Sequence, residues 1–189
     1  MRRFKNRNWI LLILGLIGIL SLGFISDGDD TEIHWINFDE AVKLNAVHPR
    51  KILIDVYTPW CGWCKKMDAD TYTNPEIISY INKNYYAVRL DAETADTFHF
   101  KDHKFYNPKP HTRGYTNELA SSLMDGKLSY PTTVYMDENF SRLTFVQSYI
   151  NSVDMKPILM YFAENKYKTM KFDDFKKSLQ PAAATSTSE

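Results

Sequence analysis

The stretch "VYTPWCGWCKKMD", residues 56–68, holds two cysteines three positions apart, and they are the only two in the 189-residue chain. Three chemistries fit such a pair: a catalytic dithiol, half of a metal site, or a small structural staple. Upstream, "KILIDVY", residues 51–57, is apolar and β-rich, as a buried central strand should be. Downstream, "KKMDADTY" reads as a helix that begins at or near Cys61. A cysteine at a helix start meets unpaired backbone N–H groups and the positive end of the helix dipole, which stabilise its thiolate. In Cys-x-x-Cys the first residue is then the exposed nucleophile, and the second lies one turn further in. Thiol–disulfide exchange suits that spacing: Cys61 attacks a substrate disulfide and Cys64 resolves the mixed intermediate.

The two other readings compare poorly. Closing so short a loop removes little chain entropy, which makes the pair a weak staple. A Cys2His2 zinc site would need His99 and His103, but about 34 residues separate the pairs, against roughly 12–15 in the usual arrangement. No metal and no other cofactor is expected. His99, His103 and His111 lie among Lys101, Lys104, Lys109 and Arg113, either as a solvated basic loop or as a docking surface for an acidic partner.

Around the pair the chain alternates strand and helix signals. "NFDEAVKLNA", residues 37–46, is a short helix with Asn37 as cap and Glu40 in a capping-box position. Asn74 and Pro75 start another helix, and "YYAVRLDA", residues 85–92, is the next strand. From about Thr94 to Arg113 neither period holds, which marks an insertion with a job or a disordered one. "YTNELASSLMDG" resumes as a helix ending at Gly126. "YPTTVYMDENFSRLTFVQSYI" is a β-hairpin turning through Asp137, Glu138 and Asn139. "DMKPILMYFAENKY" is a helix capped by Asp154, and "FDDFKKSL" an amphipathic tail. A βαβ unit followed by a hairpin implies an α/β domain, a mixed sheet with helices on both faces.

These motifs together resemble the thioredoxin superfamily, over about residues 33–165. Asp55 lies six residues before Cys61, where thioredoxins keep a buried carboxylate that is thought to relay a proton as the resolving cysteine attacks. "YPTTVYM" resembles the family's strand preceded by a cis-proline, making Pro131 the residue that faces the dithiol. A cis Tyr130–Pro131 bond would leave backbone free to pair with a bound client strand. "AVRLDAE" fits the following strand of the βαβ unit, with Arg89 where many members have lysine. Trp60 and Lys65 fit as the aromatic before the pair and the base after it, although Arg89 and Lys65 are also ordinary surface charges. Trp60, Gly62, Trp63, Tyr130 and Pro131 would then form the client contact area. The helix pair is similar to an exported branch that includes the C-terminal domain of the transmembrane reductase DsbD. The inner dipeptide, Gly62-Trp63, departs from the Gly-Pro and Gly-His of other branches, and it offers no histidine to stabilise a thiolate.

The N-terminus sets the compartment. The chain carries 23 basic and 23 acidic side chains, but Arg2, Arg3, Lys5 and Arg7 fall in the first 25 residues, which contain no acid. The remainder holds 19 basic against 23 acidic side chains, a net of −4, so there is no electrostatic footprint for nucleic acid. Those cations precede the apolar run "WILLILGLIGILSLGFI", residues 9–25, which reads as a secretory signal or an uncleaved anchor helix. The expected organisation is a signal or anchor over 1–25, a flexible linker over 26–32, a thioredoxin-like domain over 33–180 and a disordered tail over 181–189. The expected function is an exported, periplasmic thiol:disulfide oxidoreductase acting through Cys61 and Cys64. Its partners would be disulfide- or thiol-bearing exported proteins, with apocytochromes among the candidates, and a membrane electron donor. A disulfide isomerase or oxidase, or a non-catalytic client-binding module, is the alternative.

Overall fold

The computed structural model describes residues 30–110 and 112–180. The expected signal or anchor over 1–25, the linker residues 26–29, His111 and the tail 181–189 lie outside the described residues. Among the described residues, no helix is long and apolar enough to cross a membrane.

The element order is β1 (Trp35–Ile36), α1 (Phe38–Val47), β2 (Lys51–Tyr57), α2 (Gly62–Asp70), α3 (Pro75–Asn84) and β3 (Tyr85–Asp91). A small hairpin of β4 (Phe98–Phe100) and β5 (His103–Phe105) follows, then α4 (Glu118–Leu123), β6 (Thr132–Met136) and β7 (Arg142–Val146). The chain closes with α5 (Ser152–Ala163) and α6 (Phe172–Ser178). The main sheet runs β1-β3-β2-β6-β7, with β1, β3 and β2 mutually parallel and β6 and β7 antiparallel. This is the mixed sheet of a thioredoxin fold.

Strand β2 pairs on both edges, with β3 and β6, which is why its first six residues are all buried. Alternation along it divides the core into two layers. Ile52, Ile54 and Val56 pack with Phe38 and Ala41 of α1 and with Leu119 and Leu123 of α4. Leu53 faces the other way, among Ile77, Ile78 and Ile81 of α3 and Met155 and Leu159 of α5. Each such aliphatic side chain contributes about 2 kcal/mol by leaving water. Asp55 shares the parity of Leu53 and so is a carboxyl placed in an apolar layer.

Local signals fix the helix starts. The Asn37 side chain accepts from the Glu40 N–H at 2.8 Å. The Asn74 side chain accepts from the N–H groups of Glu76 and Ile77 at 3.0 and 3.3 Å, ahead of Pro75 in the first turn. Helix α5 corrects the expected cap. Asn151, not Asp154, caps it: the Asn151 side chain accepts from the Asp154 N–H at 2.9 Å and donates to the Asp154 carboxylate at 3.0 Å. Asp154 is therefore the third residue of the helix, where a carboxylate completes a reciprocal cap.

The insertion is more regular than its sequence suggests. β4 and β5 pair antiparallel through Lys101 and Asp102, with Lys101 at φ 53°. Phe98 and Phe100 fasten the hairpin to Phe38 of α1, at ring separations of 6.0 and 5.7 Å. At the chain's entry, the Asn82 side chain donates to Asp30 and to the Glu32 carbonyl, both at 2.9 Å, so residues 30–32 are tied to α3.

Candidate active site

The cysteine pair stands where β2 hands over to α2. The Cys61 N–H donates to the Thr58 carbonyl at 3.1 Å, which turns the chain at the strand's carboxyl end. Cys61 keeps extended backbone, φ −75° and ψ 108°, and caps α2: its Sγ accepts from the Cys64 N–H at 3.0 Å. That contact is the anion-stabilising geometry expected of a reactive cysteine, since the same N–H would meet a Cys61 thiolate. The two cysteines form a disulfide with Cα atoms 5.3 Å apart. In this oxidised form the expected exposure of Cys61 does not hold. Cys61 is 5% exposed and Cys64 3%. Bonding to Cys64 draws the Cys61 sulfur in against the first turn of the helix. The exposed groups are its neighbours, Trp60 at 45% and Trp63 at 60%, together with Gly62.

Asp55 is 1% exposed, a carboxyl fully inside the fold. Across the sheet it lies level with Arg89 on β3 and Thr133 on β6. Burial pushes its carboxyl up to about 6; Arg89 opposes that, Asp68 adds to it, and the hydrogen bond from Tyr72 opposes it. The Tyr72 hydroxyl donates to Asp55 Oδ1 at 3.3 Å. Burial, with the Asp55 carboxylate adding to it, raises the phenols of Tyr72 and Tyr135, so both stay neutral near pH 7.

Arg89 is no ordinary surface charge. Its Nε lies 3.2 Å from Asp55 Oδ2, and its two terminal nitrogens donate to both oxygens of Asp68 at 2.6 and 2.7 Å. The guanidinium also stacks over Tyr57 and Trp35, at 4.4 and 5.3 Å from the ring centres. Asp68 sits on α2, one turn beyond Cys64. The buried acid is thus wired to the cysteine-bearing helix through one arginine.

The Tyr130–Pro131 peptide is cis, and Pro131 is buried immediately before β6, whose Thr132 stands opposite Val56. The Tyr130 ring meets Trp60 edge-on at 6.0 Å, and its hydroxyl bonds with Thr116 Oγ1 at 3.2 Å. Trp60 and Tyr130, the chain neighbours of Cys61 and Pro131, thus meet, whereas the Trp63 ring lies against Tyr149, 5.7 Å between ring centres. Lys65 is exposed on α2. His99 and His103 lie on the β4–β5 hairpin, and among the described residues no group of three or more His, Cys, Asp or Glu is arranged to hold a metal ion.

Three residues of this region escaped the sequence reading. Tyr72, Asp68 and Glu93 gain their roles from tertiary contact, Glu93 by accepting from the Trp60 indole N–H at 2.9 Å. Only the spacing of Asp68, one helical turn after Cys64, offered a signal.

Comparison with known proteins agrees with this geometry. The fold is shared with a DsbH oxidoreductase, at a TM-score of 0.51 and 15% identity over 78% of this chain and 95% of that one. It is shared with a thioredoxin-fold protein from Helicobacter pylori, at 0.53 and 15% over 80% and 89%. A thioredoxin from Thermus thermophilus matches at 0.50 and 14% over 68% and 85%. An uncharacterised protein of Archaeoglobus fulgidus is 26% identical over 84 residues, spanning 44% of this chain and only 65% of that protein's length. The fold and the cysteine pair support a thiol–disulfide redox role. The Thioredox_DsbH family, described as a protein of unknown function, DUF255, matches residues 21–180, and this chain belongs to that family within the thioredoxin superfamily.

Proposed function

We propose that the protein is an exported thiol:disulfide oxidoreductase that reduces disulfides of exported proteins. The observation that carries this reading is the Cys64 N–H held 3.0 Å from Cys61 Sγ at the start of α2. In the reduced state the Cys61 thiolate attacks one sulfur of a client disulfide, forming a mixed disulfide and releasing the other client sulfur as a thiolate. Cys64 then gives up its proton and attacks Cys61 Sγ. The second client sulfur leaves as a thiol, and two electrons have passed from the Cys61–Cys64 dithiol to the client. Asp55 suits the proton step, because a buried carboxyl with its pKa near 6 exchanges protons readily around neutral pH. Trp60, Trp63, Tyr130 and Pro131 form the surface on which the client strand rests.

Export is supported by the basic and apolar sequence of residues 2–25. An exported compartment supplies no reductant of its own, so a membrane dithiol donor must return the electrons. The absence of a histidine between the cysteines favours reduction over oxidation of clients, since nothing there further stabilises the thiolate.

The test is turnover of a disulfide-bonded polypeptide with a dithiol as donor. Wild type is expected to turn over and Cys61→Ser to lose activity entirely. Cys64→Ser is expected to accumulate a covalent client adduct on Cys61, visible by non-reducing electrophoresis. Full activity in Cys61→Ser would overturn the reading.

A further inference from the structure

Beside the dithiol, the residues on either side of the insertion and the segment before β6 border a slot of about 310 Å³ lined by Trp60, Glu93, Gly114, Thr116, Leu128 and Tyr130. Its walls are largely apolar and open to solvent: Trp60 is 45% exposed and Leu128 47%. Its one charged lining residue is Glu93. The Glu93 carboxylate accepts from the Trp60 indole N–H at 2.9 Å and from the Gly114 N–H at 2.7 Å. Both donors are neutral, so they orient the carboxylate without cancelling its charge, and among the described residues no cation lies within ion-pair distance of it. The Tyr130 phenol registers the local field. Burial raises it, the Thr116 hydrogen bond opposes this, and the Glu93 and Asp91 carboxylates push it up further.

Apolar walls with one fixed carboxylate suit a side chain that has an aliphatic stem and a cationic head. Resting on the redox reading above, we propose that this slot is a specificity site for a lysine or arginine flanking the disulfide cysteine of the client, with Glu93 as the specificity-determining residue. The aromatic walls add to the selection, because a cation is attracted to a ring face. Trp60 already shows this affinity, with the Arg113 guanidinium 4.5 Å over its ring. Arg113 ends the insertion and Gly114 follows it, so two consecutive residues supply the selecting carboxylate's backbone partner and a competing positive charge.

The experiment compares kcat/KM for three short disulfide peptides that differ only in the flanking residue, Lys, Leu or Glu, with 2-hydroxyethyl disulfide as a probe that has no flanking residue. Wild type should prefer the Lys peptide over the Leu peptide by about five- to tenfold, the scale of a charge-assisted contact at a half-exposed site. That preference should shrink as salt is raised from about 50 to 500 mM. Glu93→Gln should bring the Lys-to-Leu ratio to about one, and Arg113→Ala should raise it above the wild-type value. Equal turnover of the three peptides by wild type overturns the proposal, as does an equal loss on all three in Glu93→Gln, which would give Glu93 a purely structural part. If wild type reduces neither the peptides nor 2-hydroxyethyl disulfide, the redox reading falls and the specificity site with it.

Discussion

Arg89 reaches Asp55 through Nε alone, at 3.2 Å, because its two terminal nitrogens are both taken by Asp68, at 2.6 and 2.7 Å. The cation nearest the buried acid is thereby shared with a second carboxylate. Burial, which favours the neutral acid, outweighs what remains of the attraction, and Asp55 titrates near pH 6 instead of near 4. The consequences concern both stability and chemistry.

Asp55 is protonated more readily in the folded chain than in the unfolded one, so its contribution to stability is full below about pH 4 and is lost as pH rises through about 6. Asp55→Asn removes that titration. Relative to wild type, the variant is expected to gain about 3 kcal/mol between pH 3.5 and pH 7.5. Urea unfolding of both proteins across that range, with the disulfide intact, gives the difference directly. A constant difference across the range would mean that Asp55 does not titrate as described.

Asp68→Asn removes one negative charge near Asp55 and loosens the grip on the arginine, freeing it to turn toward Asp55. Both changes favour the ionised form, so the Asp55 pKa is expected to fall below its wild-type value of about 6. Where Asp55 accepts the Cys64 proton, the rate of resolution rises with pH as Asp55 ionises. The acid limb of the pH–rate profile should therefore move to lower pH in Asp68→Asn, and the carboxyl titration followed by NMR should move with it. An unmoved limb would remove Asp55 from the proton step.

Met67 ties the cysteine-bearing helix to the core. It is fully buried on α2, in the layer that holds Leu53 and Ile77. Met67→Ala is expected to cost about 2–5 kcal/mol of stability, the range for truncating a buried methionine. Chemical denaturation measures it, and a loss below about 1 kcal/mol would show that α2 is held chiefly by the disulfide and the Arg89 contacts.

The sequence announced the features that depend on local chemistry. Asn37 and Asn74 could be read as caps because a side-chain oxygen next to an apolar helical run has one obvious donor to meet. Asp55 stood out because a carboxyl inside "ILIDV" has no cheap place to go. Pro131 was legible only through resemblance. The misses have equally physical causes. Asn151 and Asp154 are partners in one reciprocal cap, so choosing the acid alone misplaced the start of α5 by three residues. β1 has two residues and β4 and β5 three each, too few for a period to declare itself. Tyr72, Asp68 and Glu93 are polar residues whose partners lie 17 to 33 residues away, and no local pattern encodes such pairings.

The most direct test of the central claim is the reduction potential of the Cys61–Cys64 pair, measured by equilibrating the protein in defined thiol buffers. A potential near or below about −230 mV is expected, on the side where the dithiol gives electrons to exported clients. A potential near or above about −180 mV would make the protein an isomerase or oxidase, and failure of the pair to cycle in any buffer would contradict the redox reading altogether.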